Sequence, residues 1–89
     1  MSEKKDKAVA LKYDKEVSST PKVTAKGEGF SAQNIIKIAQ LHDIPIKKDE
    51  NLVEMLSKLE VDREVPAEMY KAIAEVFSYV YKLTQEKKN

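Results

Sequence analysis

The chain has 89 residues, 42% of them hydrophobic and 35% charged, and its 16 Lys and Arg side chains against 15 Asp and Glu leave a formal charge of +1. This length suffices for one small domain but not for a complete dinucleotide-binding fold or an eight-stranded barrel, and the near-zero charge argues against nucleic acid and anionic lipid as partners. The lack of cysteine excludes disulfides and thiol catalysis, and a single histidine excludes His-rich metal sites.

The first part of the chain predicts two strands. Residues 1–7 are almost all charged or polar, and we expect a disordered tail there. Residues 8–13 alternate, so that Val9, Leu11 and Tyr13 share an apolar face, which is typical of a strand. A polar loop ending at Pro21 then leads into a second strand over residues 22–25.

The middle of the chain predicts a helix and a short third strand. Gly27 and Gly29 break the second strand, and Ser31 is a suitable N-cap for a helix over residues 32–42. Phe30, just before this cap, is expected to pack back onto Ile35. Residues 44–46, Ile-Pro-Ile, are held out of a helix by the proline and are predicted to be extended.

The last part of the chain predicts two more helices. A polar start at residues 49–51 leads into a helix with apolar side chains at helical spacing, namely Leu52, Met55, Leu56 and Leu59. Pro66 suits the first turn of the third helix. The apolar stripe of that helix consists of Met69, Ile73, Val76, Phe77 and Val80. Residues 84–89 form a polar tail, so the folded domain is expected over residues 8–83.

The predicted fold class is α/β with the order β-β-α-β-α-α. The first two strands are too close in sequence for a crossover helix and should pair antiparallel, whereas the second and third flank a helix and should form a right-handed parallel unit. We therefore expect a small three-stranded mixed sheet surrounded by three helices.

No motif in the sequence predicts catalysis, a cofactor or a metal. Gly27-Glu28-Gly29 lacks the third glycine of a dinucleotide-binding turn and carries the wrong charge for a phosphate site. His42, beside Asp43, suits a helix end, where an imidazolium interacts favourably with the dipole. The acidic pairs lie in polar links where solvated carboxylates are the usual case. We expect no catalytic residue, no cofactor and no metal site.

The aromatic side chains of the last helix favour a partner-binding role. Tyr79 and Tyr81 lie about 200° apart around a helix, so they cannot both face one small core. At least one should be exposed, and exposed aromatic patches often mark partner sites. The alternative is that these tyrosines bury their rings and keep their hydroxyls in water.

The sequence resembles one family over residues 8–83. The blocks AVALKYD (8–14), PKVTAKG (21–27) and VPAEMYKAIAEVFSYVY (65–81), with residues 32–46 between them, resemble the C-terminal cytoplasmic domain of FlhB, the membrane-bound substrate-specificity switch of the flagellar type III export apparatus. The resemblance implies an FlhB C-terminal domain-like fold. It also implies partners among the export apparatus components and export substrates, with truncated or full-length FlhB in trans as a further candidate.

Two departures from the family shape the functional prediction. Family members carry membrane helices before this domain and cleave themselves within an Asn-Pro-Thr-His motif directly before the first strand. Here that stretch reads Lys4-Lys5-Asp6-Lys7, so self-cleavage is not expected. The chain resembles the fragment that cleavage leaves behind, as a stand-alone FlhB-like protein without a membrane span. Because the charged start replaces the family's apolar strand, the sheet should have an open edge that could accept a strand in trans.

The resemblance also implies a partner-binding patch. Its matching positions are Thr20 and Pro21, from the loop before the second strand, and Ala74 and Phe77, from one face of the last helix. Ala74 and Phe77 are three residues apart and therefore share a helix face. Phe77 is equally a core candidate from its position in the apolar stripe.

The resemblance implies an interaction module of the flagellar type III export apparatus that supports export or substrate-specificity switching, and together with the lack of catalytic motifs it predicts that the chain is not an enzyme. Its expected location is the cytoplasm, at the periphery of the export gate at the inner membrane. The alternatives are a small self-processing or hydrolytic enzyme, and a nucleic-acid-binding regulator.

Overall fold

The structure is a computed structural model that describes residues 6–13 and 20–87. Its elements are the strands β1 (Lys7–Lys12) and β2 (Lys22–Glu28) and the helices α1 (Phe30–Leu41), α2 (Glu50–Leu56) and α3 (Tyr70–Lys87), with a short 3-10 turn at Ala67–Met69. Most of the expected N-terminal tail (1–5) and of the loop before β2 (14–19) lies outside the described residues, as do residues 88 and 89. β1 begins at Lys7, and α3 runs on into the expected polar tail as far as Lys87.

The two strands pair antiparallel, as the sequence predicts. Ala8 lies opposite Gly27 and Ala10 opposite Ala25, but the register then shifts so that Leu11 lies opposite Val23. Such a shift places one extra residue in β2 and bends the ladder locally. β1 and β2 are therefore held together along the whole length of β1.

The expected third strand at residues 44–46 was wrong, and the described sheet has two strands. The hydrogen bonds at the end of α1 explain the difference. Asp43 has a positive φ of 55° and donates its N–H to the Gln40 carbonyl at 3.3 Å, while Ile44 donates its N–H to the Ala39 carbonyl at 2.8 Å. This pair of bonds is the Schellman motif, which reverses the chain directly after a helix. The amide of Ile44 is thereby committed to α1.

The start of β2 pairs on its other side with the link before α3. Val23 donates its N–H to the Arg63 carbonyl at 3.0 Å and accepts from the Asp62 N–H at 2.7 Å. Val65 donates its N–H to the Pro21 carbonyl at 2.9 Å. The segment beside β2 therefore runs antiparallel and comes from residues 62–65, so the predicted parallel unit is absent from the described sheet.

α1 packs on one face of the sheet through small residues. Ala8 and Gly27 lie opposite each other on the strands, and Ala32 of α1 is fully buried. A methyl group at Gly27 would lie 2.7 Å from the Ser31 Cβ and 3.0 Å from the Ala32 backbone nitrogen. The helix thus lies too close to the strand for any side chain at this position.

The other face of the sheet carries the main apolar core. Val9 and Leu11 of β1 pack there against side chains of α2, α3 and the link between them. The buried members of this core are Leu52, Leu56, Val65 and Ile73. The helical spacing therefore identifies Leu52, Leu56 and Ile73 correctly as buried, but Met55 of the predicted α2 stripe is 40% exposed.

The two helix starts differ in how they are capped. At α2 the Asp49 carboxylate accepts a hydrogen bond from the Leu52 N–H at 3.0 Å, which confirms the predicted polar start. At α1 the predicted N-cap Ser31 was wrong, because the helix begins at Phe30 and its cap is Gly29 with a φ of 63°. The expected packing of Phe30 on Ile35 was also wrong, because Phe30 is 85% exposed. The sharp turn at Gly29 starts the helix earlier than the polar signal predicts.

Two lysines attach the sheet to α2. The Lys7 ammonium donates a hydrogen bond to the Glu54 carboxylate at 2.7 Å, and this bond raises the pKa of Lys7. The Lys26 ammonium donates to the Ser57 and Leu59 carbonyls at 3.2 and 2.8 Å. These carbonyls follow α2 directly, where a cation also complements the helix dipole.

Candidate partner-binding groove

An open groove of about 780 Å³ runs along α3 and reaches the end of β1 and the start of β2. Its surface is largely apolar and aromatic. The lining residues are Tyr13, Pro21, Tyr70, Ile73, Ala74, Phe77, Ser78, Val80, Tyr81 and Lys82. A concave apolar surface with a few polar groups at its border is the usual form of a binding site.

The groove has a rigid base because core residues contribute to it. Ile73 is only 2% exposed and belongs to the main core, and Phe77 is half-buried against that core. The Tyr13 ring packs on the Phe77 ring with centroids 5.4 Å apart and planes inclined at 51°. Phe77 therefore serves both the core and the groove, so the two interpretations open at the sequence level are compatible.

The start of β2 supplies the second side of the groove. Pro21 is buried, and its carbonyl accepts from the Val65 N–H, which ties this position to the link before α3. Thr20 is buried as well, at 9% exposure, and it is not one of the lining residues. Three of the four predicted site residues, Pro21, Ala74 and Phe77, thus line one groove, whereas Thr20 does not. The binding role of all four stays a prediction.

α3 presents an aromatic stripe to the groove. Tyr70, Ala74, Phe77 and Tyr81 follow each other at intervals of four, three and four residues, which places them on one face of the helix. Ala74 is exposed, as are Tyr70 at 47% and Tyr81 at 64%. The small side chain of Ala74 leaves a depression between its larger neighbours.

The prediction that aromatic side chains of α3 are exposed is confirmed. Tyr79 is 40% exposed and lies away from the groove, where the Lys47 ammonium sits 5.7 Å from its ring centroid. Tyr81 lies on the groove side. The two tyrosines therefore face different directions, as their spacing requires.

Tyr13 and Lys82 are two of the seven lining residues that were not predicted as site residues from the sequence. Tyr13 follows Val9 and Leu11 in the alternation of β1, so its face was predictable, but its contact with α3 was not. Lys82 is the only charged residue of the lining. It lies one position after Tyr81, and no pattern in the sequence distinguishes it from the other lysines of α3.

The groove lining contains few kinds of chemical group. It presents apolar surface, tyrosine and serine hydroxyls and one ammonium group. Within residues 6–13 and 20–87, no three His, Asp or Glu side chains converge in a way that could bind a metal ion. The described helices also include none with the length and apolar character needed to span a membrane.

Sequence comparison finds close relatives. The family model described as the FlhB HrpN YscU SpaS Family matches residues 5–80. The uncharacterized protein YlqH of Bacillus subtilis (strain 168) is 46% identical over 83 residues, which cover 93% of this chain and 89% of YlqH. The flagellar biosynthetic protein FlhB of the same organism is 41% identical over 80 residues, and these cover 89% of this chain but only 22% of FlhB.

Structure comparison agrees with the sequence relationship. The crystal structure of the PscU C-terminal domain superposes with a TM-score of 0.79 at 28% identity, covering 83% of this chain and 95% of that domain. The mixed α/β fold described above is thus that of the PscU C-terminal domain, and the sequence covers about a fifth of the FlhB proteins that it matches. On these grounds the chain belongs to the FlhB HrpN YscU SpaS family.

Proposed function

We propose that the chain is an interaction module of the flagellar type III protein export apparatus and that it receives export substrates in the groove beside α3. The observation that carries this proposal is the convergence of Pro21, Ala74 and Phe77 in one apolar groove. These three residues come from two distant parts of the chain, so their meeting is a property of the fold.

The family relationship supports the assignment to export. Relatives named flagellar biosynthetic protein FlhB match this chain at 36–42% identity across at least 82% of its length. We propose a cytoplasmic location at the periphery of the export gate, and a role in supporting export or the switch of substrate specificity.

The chemistry of the groove indicates what a substrate must offer. An apolar side chain of the substrate would occupy the depression at Ala74, between Phe77 and the neighbouring tyrosines. The Lys82 ammonium at the border favours a carboxylate close to that side chain. The proposed ligand is thus an apolar segment with an acidic neighbour.

The test is a charge placed in the groove at an exposed position. Ala74→Asp puts a carboxylate into apolar surroundings without removing a core contact, because Ala74 is exposed. We expect binding of purified flagellar hook protein subunits, measured by fluorescence anisotropy, to fall at least about tenfold because the charge must be desolvated. Ala67→Asp is the matched control, since Ala67 is also an exposed alanine but lies outside the groove.

The result can contradict the proposal in two ways. If the Ala74→Asp variant folds and binds hook subunits as tightly as the unchanged chain does, the groove is not the substrate-binding site. Loss of folding in Ala74→Asp would instead return this residue to the core. Motility and hook length in a deletion strain that carries either variant would show whether the groove matters in the cell.

We expect the chain to carry out no catalytic step, including self-cleavage. The sequence contains no Asn-Pro-Thr-His motif at which the backbone could be cut. We therefore expect one species at the full calculated mass after long incubation at neutral pH. Two smaller species whose masses together account for the whole chain would show self-processing and contradict this expectation.

FlhB acting in trans is proposed as a further partner. Among the described residues, β1 has a single ladder partner, β2, so its other edge offers backbone donors and acceptors. An added strand can use such an edge by β-augmentation.

A further inference from the structure

The stripe of α3 has the spacing of a helix that packs along another helix. Intervals of four, three and four residues separate Tyr70, Ala74, Phe77 and Tyr81, and this alternation of three and four is typical of helix pairs with a shallow crossing angle. In the described structure this stripe faces the open groove. Tyr70 and Tyr81, at its two ends, are 47% and 64% exposed.

The stripe is complementary to itself. Its spacing is the same in both directions, about a point between Glu75 and Val76. When two copies of α3 lie antiparallel about that point, Phe77 of one copy meets Ala74 of the other, and Tyr70 meets Tyr81. A large side chain then fills the space beside a small one at both central positions, which is the arrangement that packs a helix interface without voids.

The charges also permit this pairing. The stripe carries no charged side chain, and Lys71 beside it would face the Ser78 hydroxyl of the second copy. The formal charge of +1 means that two copies repel each other little. An isologous contact of this kind is the commonest route to a dimer.

We infer that the chain forms a symmetric dimer in which α3 of one copy lies antiparallel in the groove of the other. The occupant of the groove is thus a second copy of this chain when no partner is bound. The consequence, which rests on the proposed function, is that dimerisation and substrate binding exclude each other. The dimer is then a resting state, and its dissociation exposes the groove of each monomer to a substrate.

The test exchanges the tyrosines at the ends of the stripe for charges. In the antiparallel dimer, Tyr70→Glu together with Tyr81→Lys places a carboxylate opposite an ammonium twice. Tyr70→Glu together with Tyr81→Glu places like charges opposite each other and changes the formal charge from +1 to −1, the same magnitude. Both tyrosines are exposed, so we expect both variants to fold, as checked by circular dichroism.

The measurement is sedimentation equilibrium of the isolated full-length chain over a range of concentrations. The Glu/Lys variant should dimerise at least about tenfold more tightly than the Glu/Glu variant, because like charges across an interface are costly. Leu41→Asp, which charges an exposed site on α1 that is 75% exposed, should dimerise like the unchanged chain.

Several results would overturn the inference. They are an unchanged chain that stays monomeric up to about 1 mM, equal dimerisation of the Glu/Lys and Glu/Glu variants, or loss of the dimer in Leu41→Asp. A parallel pair would place Tyr70 opposite Tyr70, so both variants would be weakened alike. Hook protein plays no part in this measurement, so its outcome is independent of whether the groove binds export substrates.

Discussion

The Tyr13 ring packs on the Phe77 ring at a centroid distance of 5.4 Å, and this contact joins the end of β1 to the middle of α3. Both residues also line the groove. The ring contact therefore helps to hold the β1 side of the groove against α3. Because Phe77 also packs against the core, its contact with Tyr13 should limit the movement of the Tyr13 side chain.

The first prediction is that Tyr13 and Phe77 are energetically coupled. A double-mutant cycle with Tyr13→Leu and Phe77→Leu should give a coupling free energy of about 0.5–1 kcal/mol in urea unfolding, since inclined aromatic pairs contribute about this much beyond their buried area. The control is a second cycle that combines Tyr79→Leu with Phe77→Leu. Because Tyr79 lies away from the groove, its coupling free energy with Phe77 should be near zero. Equal values in the two cycles would show that the ring contact is not specific.

The second prediction concerns the core under the groove. Ile73→Ala should lower the free energy of unfolding by about 2–4 kcal/mol, because Ile73 is 2% exposed and its truncation leaves a cavity. Ile38→Ala is the matched control on α1, where the side chain is 54% exposed, and should cost under about 1 kcal/mol. A similar cost for both substitutions would mean that α3 is not packed as described.

The third prediction compares Asp49, the side-chain cap of α2, with Ser31 of α1, which was predicted to be a cap but is not one. Asp49→Ala should cost about 1 kcal/mol, because it removes the hydrogen bond to the Leu52 N–H. Ser31→Ala should leave the stability unchanged or raise it by about 0.5 kcal/mol, since Ser31 lies inside α1 and alanine is the better helix former. Thermal unfolding of both variants measures this directly. A larger loss from Ser31→Ala than from Asp49→Ala would restore Ser31 as the cap.

The fourth prediction concerns the contact between α1 and the sheet. Gly27→Ala should lower the free energy of unfolding by about 1–3 kcal/mol, because the new methyl group would meet Ser31 at 2.7–2.8 Å and push the helix away. Lys12→Ala, an exposed strand position, is the control and should be nearly neutral. An unchanged denaturation midpoint for Gly27→Ala would place α1 further from β2.

The fifth prediction tests the open edge of the sheet. A synthetic peptide that copies the strand before the cleavage motif of FlhB should raise the thermal midpoint in a concentration-dependent manner, as binding to the native state requires. It should also shift the amide signals of residues 8–12, which lie in β1. A scrambled peptide should do neither. A saturating dose of the true peptide without either effect would remove FlhB as a strand donor in trans.

Side-chain patterning predicts much of the fold, and the errors of that prediction have identifiable physical causes. Alternation identifies β1, and helical spacing identifies α2 and α3. The prediction of a third strand was wrong because the Ile44-Pro45-Ile46 pattern fits any extended segment. The hydrogen bonds of Asp43 and Ile44 that follow α1 cannot be recognised from the hydrophobic pattern. The true neighbour of β2, residues 62–65, is mostly charged and is held by backbone hydrogen bonds, so patterning cannot reveal it.

The candidate site was predictable where it lies on one helix and unpredictable where it depends on tertiary contact. Ala74 and Phe77 share a face because of their spacing alone. Pro21 was placed beside them only through the family resemblance, and the structure brings it to the same groove. Thr20 was expected there too, but the residue before a buried proline points into the interior here. The contact of Tyr13 with Phe77 joins two elements, which no local pattern reports.

The small number of buried side chains in α1 has a consequence for the local opening of the domain. Only Ala32 of this helix is buried, whereas Phe30, Ile38 and Leu41 are exposed. Helices with few buried side chains open at lower free energy than the rest of a domain, so the amide protons of α1 should exchange with solvent before those of α2 and of Ile73. Since α1 lies on the face of the sheet opposite the core, such openings leave the groove in place.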